Sequence, residues 1–529
     1  MPVQGEAQVT QPEPVRRFPA PTDKPLRIAL VISGAVSLGS YEAGALTALL
    51  GLIRSSGGQM VVDTIVGASA GSITGLLLAH ALVAGGGTED EETLWVNETD
   101  VELLLKGRAD PDRPRAPLSP SLLVEWARTR LTRPSGSPLQ RDPVYLVLSV
   151  ANLQGLTYRM LMRDEAIRAD TYRDAATFVL DPDTTGDRWE QAMRAAVASS
   201  AHAFAFSAVW LDREREEYPP EIVWNAGQKG FWYTDGGTVY NEPFGMALDA
   251  LYSPEDLHLP PRGPFGENDR VILLVHPHPD DPISAWPPGG QQPVFGQSSL
   301  RAFGMQRAQS LYQDLLTLEK YNGRLYWRDR LQQEMEAHGL SDEEWVRKLA
   351  EEATRDRAWR RALTKKTADP VEQTASAGST GQAPPPLQVL LDAATGTAGK
   401  HPAWVEVVSP DLDPRVKEGT ATIAELLAGE RMGHFLGFAD VRARRSDFRL
   451  GYENFRLWWH GDDAAEGFRD RCDLPDLEVP ARDWPAGWEP FGNFNLGDVP
   501  LGRRLRWGIR LLWRYYREVR ALRKRLKSS

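Results

Sequence analysis

At 529 residues, with 42% hydrophobic and 25% charged residues and 17 tryptophans, the chain has the composition of a globular protein, with room for several domains or one large α/β domain with insertions. A formal net charge of -11 argues against nucleic acid as a partner, because phosphate contacts need a basic surface. The single cysteine, Cys472, excludes an intrachain disulfide framework, and no run of uncharged apolar residues is long enough for a membrane span.

Residues 1–26 are rich in proline and lack the apolar core of a secretory signal, so a flexible leader is expected and the protein is expected in the cytoplasm, soluble or peripheral at a membrane. Arg27 to Ile32 (RIALVI) reads as a buried strand, the small-residue loop SGAVSLGS follows, and Tyr41 to Arg54 reads as a helix. Val61 to Val66 is a second apolar strand and Ile73 to Val83 a second helix. Between them Gly67-Ala68-Ser69-Ala70-Gly71 must reverse the chain abruptly. A strained strand-to-helix turn of this kind exposes a serine hydroxyl beside the first free helix amides, and only Gly and Ala flank Ser69; the alternative is an ordinary glycine-rich turn.

The βαβα order predicts a mostly parallel sheet with helices on both faces. Residues 85–143 read as an excursion above the sheet with a helical piece near Leu122 to Leu131, of lid length. Val144 to Val150 returns as a strand and Trp189 to Ser199 as a helix running into SSAHAFAF. Glu221 to Trp224 and Phe231 to Thr234 read as paired strands delivering Asp235-Gly236-Gly237. Asp235 at a strand end is either a solvated turn residue or a base for Ser69. Val271 to Val275 is a further strand, and Ser299 to Ala337 is largely helical. Ser341 with Glu344 resembles a capping box opening a charged helix to about Lys365. Residues 366–386 read as a linker, Trp404 to Val408 as a last strand, the stretch to Trp459 as helical, and 461–500 as loops. The implied organisation is a leader (1–26), an α/β domain (27–340), a charged helix with linker (341–400), an extension (401–500) and a basic helix (501–529).

Three segments together resemble, in order and spacing, the signatures of patatin-like phospholipases: SGAVSLGSYEAGAL (Ser33 to Leu46), GASAG (Gly67 to Gly71) and DGGTVYNEP (Asp235 to Pro243). VANLQG and SSAHAFAF are weaker matches, and RRSDFRLGY (Arg444 to Tyr452) is loosely similar to helical extensions of bacterial relatives. The resemblance implies a three-layer sandwich in which Ser69 is the nucleophile, Asp235 the base, and the backbone amides of Gly34, Ala35 and Val36 the oxyanion hole. Gly39, Gly67, Gly71, Gly236, Gly237 and Asn241 support those motifs. It further implies hydrolysis of a lipid acyl ester through an acyl-serine, with no cofactor. The loop departs from the family pattern at Ala35, Val36 and Leu38, which leaves a second reading, a catalytically weak or inactive patatin-like binding or scaffolding protein. A third, a Ser-His-Asp carboxylesterase, would draw on His202.

His80 is expected to pack or face water, and His276, His278, Asp280 and Asp281 to form a surface loop, so no metal site is expected. Residues 501–529 hold 11 Arg and Lys against Glu518, or +10, leaving 50 bases and 71 acids, or -21, on the other 500. Leu505, Ile509, Leu512, Tyr516, Val519 and Leu526 share one helical face. Such a helix either lies on an anionic membrane, with Trp507, Arg510, Trp513, Arg514 and Arg517 as contacts, or docks on an acidic protein surface. Oligomeric state is not readable from the sequence.

Overall fold

The computed structural model describes residues 25–526, apart from 88, 107–115, 133–135, 163–164, 220–221, 253, 261–269, 278–294, 342, 365–384, 398–403, 430–434, 462–476 and 489–495. Most of the expected leader and the expected linker lie outside those residues, as do His278, Asp280, Asp281 and Cys472.

Among the described residues eight strands form one sheet in the order β5 (Val209–Asp212), β6 (Gly230–Asp235), β3 (Val144–Met162), β2 (Met60–Ala68), β1 (Leu26–Ile32), β7 (Arg270–Val275), β8 (Val405–Val408), with β4 (Glu165–Leu180) paired to β3 off that path. β1 (Leu26–Ile32), β2 (Met60–Ala68), β7 (Arg270–Val275) and β8 (Val405–Val408) run parallel to one another and to the first half of β3 (Val144–Met162). Every residue of β2, and all but one of β1, is buried, because a parallel sheet is covered on both faces by its crossover helices. α1 (Gly39–Ser55), α2 (Ala70–Val83), α3 (Ser121–Leu131) and α4 (Gly186–Ser199) belong to the layer whose core includes Leu46, Leu78 and Trp189. α5 (Phe244–Tyr252) covers the other face, together with Leu318 of the long α6 (Phe295–Ala337). α7 (Glu344–Thr364) and α8 (Pro386–Thr395) add a small core of their own around Val346 and Leu387, tied to α6 by an Arg328–Asp392 ion pair of 3.0 Å.

Three expectations need correction. β3 does not stop near Val150 but runs on to Met162 and folds back as β4 (Glu165–Leu180), an antiparallel arm with a register shift between Ala151 and Leu156. The polar residues of this arm mask the strand signal because it is only partly buried. The partner of β6 (Gly230–Asp235) is likewise β5 (Val209–Asp212), not the stretch Glu221 to Trp224, where Ile222 makes only an isolated bridge to Tyr158. Helix α7 begins at Glu344, later than a capping box at Ser341 would place it.

The C-terminal extension is built into this architecture. β8 forms the sheet edge, and α9 (Val441–His460) crosses α1 so closely that a Cβ on Gly44 would stand 1.9 Å from the Phe448 carbonyl oxygen, and one on Gly451 1.9 Å from that of Tyr41. Arg444, fully buried, donates to the carbonyls of Val96, Gly437 and Phe438, and Asp447 accepts from the amides of Ala428 and Gly429. The RRSDFRLGY stretch is thus the docking surface of α9. Among the described residues one helical stretch, Val36–Ser55, is long and apolar enough to cross a membrane, but 89% of its window is buried in this core. Gly44→Val is expected to lower stability by about 3 kcal/mol or more, since the clash is with backbone; a denaturation midpoint equal to that of the wild type would refute the close crossing.

Two carboxyl groups are buried beside α1. Glu42 and Glu91 are almost wholly inaccessible; Glu42 Oε1 and both Glu91 oxygens lack hydrogen-bond partners among the described residues. Desolvation, reinforced by the charge of Glu91 on Glu42 and of Asp90 on Glu91, raises both well above the usual carboxyl value. Because the folded-state value lies above the unfolded one, the stabilising contribution is full at low pH and is lost as pH rises through the folded value. Glu91→Gln should therefore gain stability relative to the wild type as pH increases from about 5 to 8; a melting-temperature difference that stays constant over that range would contradict the assignment.

Candidate active site

Two strands approach each other from opposite directions along β3. β2 runs parallel to β3 and ends at Ala68, in register with Ser149; β6 runs antiparallel and ends at Asp235, in register with Val150. Both therefore stop at one level on either side of the same strand. The residues at their ends, Ser69 and Asp235, meet above it: Ser69 Oγ donates to Asp235 Oδ2 at 2.8 Å, with both residues almost fully buried. Asp235 Oδ1 accepts from the Gly237 amide at 2.8 Å. A Cβ on Gly236 would stand 1.9 Å from the Ser149 carbonyl oxygen, so a glycine is required where β6 turns over β3.

Ser69 is the residue that turns the chain from β2 into α2, with φ 50° and ψ -123°, a strained conformation for a non-glycine residue. Close contact holds it there. A Cβ on Gly67 would meet the Gly71 carbonyl oxygen at 2.5 Å, and one on Gly71 the carbonyl oxygens of Ile32 and Ser33 at 2.6 Å. Two serines brace the turn from α4 and the residue after it. Ser199 Oγ accepts from the Ser69 amide at 3.0 Å, contacts Ser72 Oγ at 2.7 Å and donates to the Ser149 carbonyl at 2.6 Å, while Ser200 Oγ donates to the Ser69 carbonyl at 2.6 Å. Sequence reasoning singled out SSAHAFAF but drew only His202 from it; paired small hydroxyl residues ending a helix were the available signal.

The loop after β1 supplies the third wall. Val36 has φ 53°, the left-handed region that a β-branched side chain disfavours. The Gly34 N–H is taken by the Asn241 carbonyl oxygen at 2.9 Å, so it is already committed as a donor. Asn241 thus clamps the loop through its backbone. The amides of Ala35 and Val36 make no backbone hydrogen bond among the described residues, and Ala70, at the first turn of α2, offers an amide without an intrahelical acceptor. Behind the loop, Ser33 Oγ lies 3.1 Å from His276 Nδ1, whose burial lowers its pKa to about 4. Gly39 faces the Trp95 ring.

Ser69, Asp235 and Val36 open into a cavity of about 990 Å3, including its mouth. Its walls are almost entirely apolar: Ile73 and Leu77 from α2, Val124 and Leu131 from α3, and Met193 and Val197 from α4. Leu94, Trp95 and Leu104 of the excursion close one side, as a lid would. Phe435 and Phe438, from the extension, close another; nothing in their spacing announced them. His202 lines the cavity with its ring edge-on to Phe435 at 5.2 Å, and the oxygen that receives the Ser69 proton donor belongs to Asp235 rather than to an imidazole. His80 packs against Trp189 at 4.9 Å, with burial lowering its pKa to about 4. Among the described residues no group of three His, Cys, Asp or Glu side chains is arranged to hold a metal ion.

The basic tail is one helix, α10 (Leu501–Leu526). It docks on its own chain, but not by the face the sequence marks as apolar. Trp507 is buried in the core and Leu511 packs beside it. Arg514 donates to the carbonyls of Pro117, at 2.7 Å, and of Leu105. Trp507 and Arg514 are therefore corrected from membrane-facing to inward-facing residues: a hydropathy stripe cannot tell which side a neighbouring loop will claim. Arg510, Trp513 and Arg517 stay exposed, with the Arg517 guanidinium 4.7 Å from the Trp513 ring.

The family model described as patatin-like phospholipase matches residues 30–248, less than half of the chain but the part that holds every element of this site except Phe435, Phe438 and His276. Over those residues the chain is similar to the patatin-like phospholipase domain, a family of lipid acyl hydrolases. No curated protein matches the chain as a relative. Ser199→Ala leaves the buried Ser69 amide without its acceptor, and we expect a loss of about 1–3 kcal/mol in unfolding free energy; a change below about 0.5 kcal/mol would show that the serine brace does not hold the elbow.

Proposed function

We propose that the protein hydrolyses fatty acyl esters, glycerophospholipids among them, by a Ser69–Asp235 dyad. The observation that carries this is the 2.8 Å bond between hydroxyl and carboxylate in the wall of an apolar cavity, with the loop of Val36 beside it. Ser69 Oγ attacks the ester carbonyl carbon as its proton passes to Asp235 Oδ2. The negative charge that develops on the carbonyl oxygen is held by the amides of Ala35 and Val36, with Ala70 as a further donor at the positive end of α2. Collapse of the tetrahedral intermediate expels the alcohol, which leaves with the proton from Asp235. Water, deprotonated by the same carboxylate, then attacks the acyl-serine, and the fatty acid is released as the proton on Asp235 returns to Ser69 Oγ. Gly34 shapes the loop and is not among the donors.

Because each buried methylene gains about 0.8 kcal/mol, roughly fourfold, kcat/KM should climb steeply with acyl length until the cavity is filled. A series of p-nitrophenyl esters from butanoate upward measures this; a flat profile would mean that the cavity does not hold the chain. Ser69→Ala and Asp235→Asn should each lower kcat on the order of a thousandfold or more with little change in melting temperature. Unchanged esterase activity in purified Ser69→Ala would overturn the proposal.

One observation favours a rival, a patatin-like binding protein without turnover: the Gly34 amide is engaged by Asn241, which reduces the number of loop donors. A fluorophosphonate probe separates the two, since Ser69-dependent labelling is expected only of an activated serine.

A further inference from the structure

The exposed side of α10 carries an unusual amount of apolar surface. Leu505, Ile509, Leu512, Tyr516 and Val519 lie along one flank, each at least 48% exposed, and Trp513 is 57% exposed. Arg503, Arg506, Arg510, Arg517 and Arg520 are exposed on the same helix. The inward side is already occupied by the helix's own chain, through Trp507, Leu511 and Arg514.

Where α10 is held matters as much as what it shows. Arg514 grips the carbonyls of Leu105 and Pro117, Tyr515 Oη donates to the Phe204 carbonyl at 2.7 Å, and Arg503 lies 3.7 Å from Glu102. Residues within three positions of those anchor points line the cavity: Leu104, Pro120, His202 and Phe206. The helix is therefore fixed to the rim of the site, and Phe204, 63% exposed, adds an apolar side chain to that rim.

We propose that α10 seats the protein on an anionic lipid bilayer, with the flank from Leu505 to Val519 entering the acyl boundary, the exposed arginines on the headgroups, and the cavity rim facing the membrane. The charge pattern selects this occupant. A two-fold pairing of α10 with its copy would oppose two strongly basic helices, and the exposed flank is a continuous apolar stripe that an acidic protein surface would not match, whereas an anionic bilayer takes both the stripe and the arginines and repels the acidic remainder, which fixes the orientation. An interfacial helix with arginines beside an apolar stripe and an exposed tryptophan matches such a boundary. This inference deepens the acyl-hydrolase reading by naming how its substrate is reached, and rests on it for that purpose alone.

The test uses the full chain carrying Ser69→Ala, so that binding is read without turnover. It should sediment with phosphatidylcholine vesicles containing phosphatidylserine, far less with phosphatidylcholine alone, and less as salt is raised. Adding Ile509→Glu and Leu512→Glu, both exposed and so tolerated by the fold, should lower vesicle partition at least tenfold with no change in melting temperature. The same pair in the Ser69 protein should leave hydrolysis of a dissolved short-chain ester unchanged and slow release of fatty acid from phosphatidylserine-containing vesicles. Equal partition of the glutamate pair would overturn the proposal. So would light scattering that finds a dimer dissolved by the pair. Binding without any ester hydrolysis would instead sink the catalytic reading and leave the docking intact.

Discussion

The site exists because two strands end head-on over a third. β2 and β6 run in opposite directions beside β3, and their stopping points, opposite Ser149 and Val150, bring a hydroxyl and a carboxylate 166 residues apart in sequence to 2.8 Å. Neighbouring strands are spaced about 4.8 Å apart, so two side chains reaching over the intervening strand can span the gap only if both ends are level. Extending β3 into the arm with β4 and β6 makes this geometry available, since β6 needs the continuation of β3 to run against.

Backbone strain accompanies that arrangement. Ser69 and Val36, both lining the cavity, are two of the three non-glycine residues with positive φ among the described residues. Gly67, Gly71 and Gly236 permit the close approaches, and Ser199, Ser200 and the Asn241 carbonyl tie them down. Strain held in this way clusters where a group must be presented in one orientation. The half of the chain beyond residue 248 also takes part in this scaffold. β7 and β8 extend the sheet, α9 clamps α1 through facing glycines, and Phe435 with Phe438 finishes the cavity wall.

Much of this could be read from the residues, for identifiable reasons. Buried parallel strands announce themselves as apolar runs, so β1, β2, α1 and α2 follow directly; the small residues at the abrupt reversal fit a glycine-rich turn as well, and it was the three ordered motifs together that singled out Ser69. The β3–β4 arm was hidden because its partly exposed residues alternate weakly, and the β5–β6 pairing because Glu221 to Trp224 has equally good strand composition. The cavity was invisible since its walls come from segments far apart in sequence, whose apolar residues look like ordinary core. The tail's amphipathic stripe was legible, but its docking was not: that is decided by the carbonyls of Leu105, Pro117 and Phe204, which side-chain patterning does not encode.

The central claim is that the Ser69 oxygen becomes acylated. Rapid quenching of the full-length protein with a long-chain p-nitrophenyl ester, followed by peptide mass mapping, tests it most directly. The account predicts an acyl mass on the peptide bearing Ser69, accumulating on the timescale of turnover and absent in Asp235→Asn. An acyl group found on another residue, or turnover with no acylated peptide, would contradict it.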